Sequence, residues 1–351
     1  MKSERGVTLL ELMVVMAIFL IAVTATLTFL STHTKRTSQE IAKTKMTQEG
    51  MISELVLIRD IAMAGMGVPT EFNGQFVPLS SSDNTGQNGS DELSIKGAGI
   101  SSGNYDYLKW GYNLDCIDSS STTITISVLP EPGNPAYPSE VQRLFTLGWK
   151  TGRANYHHPF QKGDKIVFLN AETKGLLSNN IYTINNVTAN TITISPAPDF
   201  SITKKGAFIF SLGGISATNF TDYMNQFTGY KLSTVTQPFC ASGTYSLLRV
   251  YGASMPVLDC VLDFQLQFGL VSSDGNITWV NDISGYAAST LKEQLKLVRI
   301  FIVKQYGKRD NSYNYPNTSI TTADHTINLT SEQRHYHWRT MSLDIPLREL
   351  E

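Results

Sequence analysis

Five groups of residues have types and spacings that chemistry can use. Glu11 is the only charged residue between Val7 and Leu30, and a carboxylate inside so apolar a run is costly unless an opposite charge meets it. Arg5-Gly6-Val7 stands just before it; Gly6 offers a backbone that a protease can approach closely. Cys116, Cys240 and Cys260 would form one pair and leave one thiol in an oxidising compartment, with three pairings open. Gly99-Ile100-Ser101-Ser102-Gly103 has the spacing of a nucleophile elbow, in which a serine attacks an acyl carbon. His335 and His337, two apart, would share one face of a strand, and His157-His158 adjoin Pro159, as imidazoles that bind a metal can.

Context removes two of these groups. An elbow leads straight from strand to helix, whereas Asn104-Tyr105-Asp106-Tyr107 continues as polar, aromatic loop. Neither histidine set has a Cys or a carboxylate at ligand spacing. The sequence holds no Walker loop, no dinucleotide fingerprint and no H-E-x-x-H, so neither an enzyme nor a cofactor nor a metal is expected. A formal charge of -2 with 17% charged residues gives no basic field for a phosphate backbone, which argues against nucleic acid as a partner.

The elements that position the remaining groups begin with the apolar run. From Leu12 to Leu30 its only polar members are Thr24, Thr26 and Thr28, and its length spans a bilayer core. The leader Lys2, Glu4 and Arg5 is weakly positive and stays cytoplasmic, which places the body in the periplasm. A cleaved secretory signal would be shorter and end in a small-x-small site, for which Ala22 to Thr26 is a weak match. No Pro follows until Pro69, and Gly50 is the only glycine between Leu30 and Gly65, so one helix is predicted from Val7 to Ala64, roughly 87 Å long. The spacing of Met51, Leu55, Ile58 and Ala62 predicts the face that docks on a head.

With 41% hydrophobic residues in 351, and 26 Gly and 13 Pro, the rest reads as a turn-rich β body with a real core. Alternation predicts strands at Thr123 to Val128, Ile181 to Val187 hairpinned to Thr191 to Ser195, and Val261 to Phe268. Others are predicted at Glu92 to Lys96, Lys165 to Phe168, Phe208 to Ser211, Tyr245 to Tyr251, Val298 to Lys304 and Arg339 to Ile345. Ser80 to Asn104 and Tyr306 to Thr322 read as long polar loops, and 160–212 as a possible inserted β subdomain. Helix first and sheet after makes the class α+β. The expected division is a short charged segment at 1–6, a membrane-spanning helix at 7–30, an amphipathic continuation at 31–66 and a β-rich head at 67–351.

Arg5-Gly6-Val7-Thr8-Leu9-Leu10-Glu11 with its apolar continuation resembles the class III signal of type IV pilins and type II secretion pseudopilins. That resemblance implies that 1–6 is a cleaved leader and 7–30 an assembly helix. It implies cleavage by a prepilin peptidase between Gly6 and Val7, N-methylation of Val7, and a Glu11 that pairs with the amino terminus of a neighbouring subunit in a filament. Two departures stand out: Val7 replaces the usual Phe, and Thr28 sits near the place of a helix-breaking Pro, which leaves a kink there open. Asp60 to Met66, Gly163-Asp164, Cys240-Ala241-x-Gly243-Thr244, Leu258 to Phe264 and Leu297 to Ile300 resemble, in that order, minor pilins of the PilW type, related to J-type pseudopilins. In those proteins a cysteine pair recurs at the places of Cys240 and Cys260, which implies that bridge and a free Cys116. They also carry an acidic loop after the strand ending at Gly269; Ser272 to Asn276 here lacks the carboxylates to hold calcium.

The resemblance implies a minor pilin that takes part in initiation of type IV pilus assembly and in the pilus-tip complex. Its partners would be prepilin peptidase, other minor pilins, the major pilin and the inner-membrane assembly platform. It would sit in the inner membrane with a periplasmic head before assembly and in the extracellular pilus afterwards. A J-type pseudopilin of type II secretion shares every amino-terminal feature. A pilus-tip adhesin is a further alternative, with the two long loops and Tyr105, Tyr107, Trp110, Tyr313 and Tyr315 as its contact surface.

Overall fold

The computed structural model describes residues 9–98, 110–113, 115–127, 160–188, 191–203, 206–213, 215–234 and 237–347. It opens on helix α1 (Leu9–Ala62), 54 residues or roughly 81 Å at 1.5 Å per residue. The helix runs through Thr28 without interruption, because no proline removes a backbone donor there. The threonines keep their hydroxyls inside the helix: Thr26 donates to Ala22 O (2.8 Å), Thr28 to Thr24 O (2.8 Å), and Thr24 to Leu20 O. Among the described residues of the apolar run no threonine hydroxyl is therefore left to an apolar solvent. Gly65, at φ +87°, ends the helical path in the left-handed conformation that glycine permits, and its N–H donates to Lys96 O at 2.8 Å.

The head follows in chain order. Strands β1 (Glu71–Phe72) and β2 (Gln75–Phe76) make a small hairpin, and β3 (Leu79–Ser82) pairs with β4 (Glu92–Ile95). Next come β5 (Trp110–Asn113), β6 (Thr123–Ser127), β7 (Lys165–Asn170), β8 (Tyr182–Val187), β9 (Thr191–Ser195) and β10 (Ala207–Gly213). After a short helix α2 (Phe220–Asn225) come β11 (Gly229–Ser233), β12 (Tyr245–Tyr251), β13 (Ala253–Val271) and β14 (Ile277–Val280). Helix α3 (Ala288–Gln294) leads to β15 (Leu295–Gln305), β16 (Ser319–Thr322), β17 (His325–Asn328) and β18 (Trp338–Pro346). The architecture is α+β, a long amino-terminal helix on a β-rich head.

Among the described residues the main sheet has eight strands in the order β18-β15-β13-β12-β11-β4-β3, with β14 on the far end of β13. One face of it is closed by Leu57 and Ile61 of α1 and Leu291 of α3, packed over Phe264, Leu266, Phe268, Val298 and Ile300. The other face carries Leu262, Val303 and Trp338 under Ile320 and Leu329. A register shift between Val261 and Asp263 lets Val261 and Phe264, three residues apart, face the same core, as a bulge changes which side the following residues face.

The sheet of β10-β5-β6-β9-β8-β7 closes into a barrel, inserted between β4 and β11. It takes in Trp110–Asn113 and Thr123–Ser127, so the 160–212 span expected from sequence holds only its later strands. Thr-Ile-Thr-Ile-Ser occurs in both β6 and β9, and the copies pair, Ile124 opposite Ile192. Their isoleucines fill the barrel with Phe168, Tyr182 and Ile209, while the threonines alternate outward. A second core joins barrel to head through Met66, Val68, Val77, Val167, Phe208 and Tyr223.

Three expectations are corrected. Met51 and Leu55 do not dock: they are 60% and 68% exposed. Ile58 and Ala62 do dock, and the rest of the buried face is Met46, Gly50, Ser53, Leu57, Asp60, Ile61 and Ala64, because the helix had to match polar groups of the head as well as apolar ones. The long loops Ser80 to Asn104 and Tyr306 to Thr322 contain strands β3 and β16, whose pairing with β4 and β17 supplies what their weak alternation did not. His335 lies in a single 3-10 turn and His337 just before β18, not together on a strand.

Candidate functional site

The apolar half of α1 stands bare. From Leu9 to Leu30 every residue is exposed, and the segment is long and apolar enough to cross a membrane. A helix whose residues are exposed all along so apolar a stretch requires lipid or other apolar helices around it. Glu11 lies in its first turn, where the positive end of the helix dipole favours a carboxylate. Gly6 and Val7 lie outside the described residues.

The second half of α1 is pinned to the head by buried polar contacts. Lys304 of β15, itself buried, donates to Met46 O at 2.8 Å. Gly50 makes room for it, since a Cβ there would lie 2.9 Å from the Lys304 Nζ. Gly307 N donates to Met46 Sδ at 2.9 Å, and Ser53 Oγ to Val257 O. Deeper still, Asp60 is 1% exposed. One of its carboxylate oxygens accepts from Tyr230 Oη (2.6 Å) and from Arg249 Nε, the other from Arg59 Nη2 (2.8 Å). Burial and the Asp60 charge push the Tyr230 phenol well above its ordinary range. For Arg249 burial pulls downward, but its hydrogen bond to Asp60 and the carboxylate charge prevail and the net shift is up. Asp60 thus converges with two guanidinium groups and a phenol at the end of the stem, where sequence reading saw only part of a resembling patch.

Lys96 fastens the barrel side. Its ammonium donates to Tyr223 O at 2.8 Å and to Gln226 O at the end of α2, where Tyr223 O also accepts from Gln226 N at 3.2 Å. Burial lowers its pKa to about 8. Asp91 ties the β3–β4 turn to β13 by accepting from Asn84 N (2.8 Å) and Leu266 N (2.7 Å); burial raises it to about 7 against the pull of those two bonds.

Cys240 and Cys260 are joined in the structure, with Cα atoms 5.1 Å apart, and Cys116 is exposed. The bridge closes a 20-residue separation that contains β12. In the chain-entropy model such a loop contributes about 3 kcal/mol. Non-reducing peptide mapping should therefore recover Cys240 and Cys260 as one linked peptide with Cys116 alkylatable, and Cys240→Ser should melt about 5 °C or more lower. A linked peptide containing Cys116 would refute the pairing.

The other sequence candidates come apart. His335 Nδ1 lies 2.8 Å from Tyr313 O, and the His337 ring stacks on Tyr313 with centroids 3.7 Å apart; both histidines thus pack the 306–338 segment on itself. Tyr315 packs against the core under that segment, and its carbonyl accepts from Arg334. Trp110 begins β5; Tyr105, Tyr107, Gly99 to Gly103 and His157-His158 lie outside the described residues. Among the described residues no group of three His, Cys, Asp or Glu is placed to hold a metal ion.

The apolar amino-terminal helix and the β-rich head fit a chain anchored in a membrane by its amino-terminal segment. Residues 1–27 match the family model of the prokaryotic N-terminal methylation motif, which supports a type IV pilin-like or pseudopilin chain with a structural role, processing by a prepilin peptidase and a head on the periplasmic side. No curated protein and no solved structure matches the chain.

Proposed function

We propose that this chain is a minor pilin of the PilW type, cleaved between Gly6 and Val7, methylated on Val7, and assembled with other minor pilins in the complex that initiates and tips a type IV pilus. The observation that carries the reading is the bare apolar helix of bilayer length that begins with the methylation motif and holds Glu11 in its first turn. A carboxylate drawn into a bundle of such helices is stabilised by the amino terminus of a neighbour and penalised without it. The head supports the same reading, since its polar pins fix the stem rather than line a reaction centre. Mechanism here is packing: the anchor enters the bundle and the rigid joint carries the head with it.

Glu11→Ala tests this. Cleavage and membrane insertion should continue, because an apolar residue enters lipid more readily than a charged one. Loss of the buried partner, about 3 kcal/mol, should lower the amount in the sheared-pilus fraction tenfold or more. Paired immunoblots of membrane and sheared fractions measure both; undiminished amounts in each would remove Glu11 from assembly.

A further inference from the structure

Where α1 leaves the apolar run, its character changes within two turns. Leu30 is followed by Ser31-Thr32-His33-Thr34-Lys35-Arg36, and the sequence from Lys35 to Lys45 holds four cations (Lys35, Arg36, Lys43 and Lys45) and one carboxylate, Glu40. Glu40 pairs with Lys43 at 3.6 Å, and Lys43 lies against the head beside Gly307. Lys35 and Arg36 are thus the cations next to the membrane exit, and Arg36 is exposed, as are His33 and Thr37 around it.

Their depth matches one chemical layer. Position 36 is about 9 Å beyond position 30 along the axis, and the headgroup layer on each side of the hydrocarbon core is about 5–8 Å thick. Side chains on a helix lean toward its N-terminus, which here is toward the bilayer, so the long Arg36 stem brings its guanidinium back to the level of the lipid phosphates. The Phe29 and His33 rings pack together where the run ends, with centroids 4.1 Å apart, and His33, with an apolar body and a polar tip, suits the boundary between lipid and water.

We propose that Lys35 and Arg36 form a phosphate-binding collar for anionic phospholipid headgroups of the outward-facing leaflet, holding α1 at a fixed depth until the chain leaves the bilayer. The proposal rests on the reading of α1 as an anchor with its head outside the cytoplasm. Charge placement gives the collar its task. Lys2 and Arg5 lie on the opposite side of the apolar run, and both depart with residues 1–6 on cleavage. The side-chain cations at the membrane are then all on the outward side, and control of depth passes from the leader to the collar. Its hold is electrostatic, and therefore reversible and screened by salt.

The test uses the full chain with an environment-sensitive fluorophore on Ser38→Cys in a Cys116→Ser background. The chain is reconstituted in vesicles of phosphatidylcholine alone or of phosphatidylcholine with phosphatidylglycerol. Emission should shift to the blue only in the phosphatidylglycerol vesicles, and the shift should vanish at high salt and in the Lys35→Gln/Arg36→Gln variant. Identical emission in the two lipids, or a shift that survives the double substitution, overturns the collar. Flotation keeps the two readings apart: a chain that does not float with vesicles refutes the anchor, whereas one that floats without a lipid-dependent shift refutes the collar alone. A double variant that keeps the shift but is lost from sheared pili would assign the cations to a neighbouring subunit and likewise overturn the lipid proposal.

Discussion

Asp60→Ala should destabilise the head by about 3–5 kcal/mol, the cost of removing one partner from a buried ion pair, seen as a melting temperature lower by about 6–15 °C. The carboxylate is 1% exposed and is shared by Arg249, Tyr230 and Arg59. Its removal leaves a buried guanidinium whose charge was balanced by Asp60 and whose desolvation persists. Replacing both charged partners, Asp60→Leu with Arg249→Met, should recover most of the loss, because a well-packed apolar pair avoids the desolvation of two ions. Thermal melts of the full chain in detergent, followed by circular dichroism, compare the three proteins. A single variant within about 0.5 kcal/mol of wild type, the ordinary range of a surface change, would mean that the joint is not held there.

The second large effect concerns processing. Gly6→Val should abolish maturation, since a branched side chain beside the scissile bond blocks the close backbone approach that Gly6 permits. Intact mass spectrometry should show the wild-type chain beginning at Val7 with one added methyl group, and the variant beginning at Met1. The variant should remain in the membrane with its leader and be absent from sheared pili. Residues 1–6 retained in assembled wild-type protein would refute the cleavage site.

What could be read in the sequence was local. The apolar run, Gly6 and Glu11 sit within a few residues of one another, and the methylation motif is confined to residues 1–27. Strand β12 was predicted with the bounds it has, Tyr245–Tyr251, and the hairpin of β8 and β9 was legible in its alternation. The docking face of α1 was legible only at Ile58 and Ala62, because the rest of it is chosen by residues far along the chain: Lys304 for Met46, Arg249 and Tyr230 for Asp60. An apolar stripe through Met51 and Leu55 competed with it and pointed outward. Leu79–Ser82 carries one apolar residue, so its strand character comes from β4 rather than from its own pattern. Helices α2 and α3, with 6 and 7 residues, are too short to show a helical period. Barrel closure depends on β10 meeting both β5 and β7, a pairing across nearly a hundred residues that no local rule specifies.

The way the barrel is inserted bears on how such a head changes over generations. The chain leaves the main sheet at Ile95 and re-enters it at Gly229, and these ends lie side by side: Gly229 is opposite Ser94, and Ile95 N donates to Thr228 O at 2.6 Å. Gly229 holds the join, since a Cβ there would sit 2.0 Å from Leu93 O. A short turn could connect the same two strands without altering their register, so the barrel is a cassette hung from a hairpin. Its outer surface can diversify, or be exchanged for another module, while α1 and the main sheet continue to meet the demands of assembly.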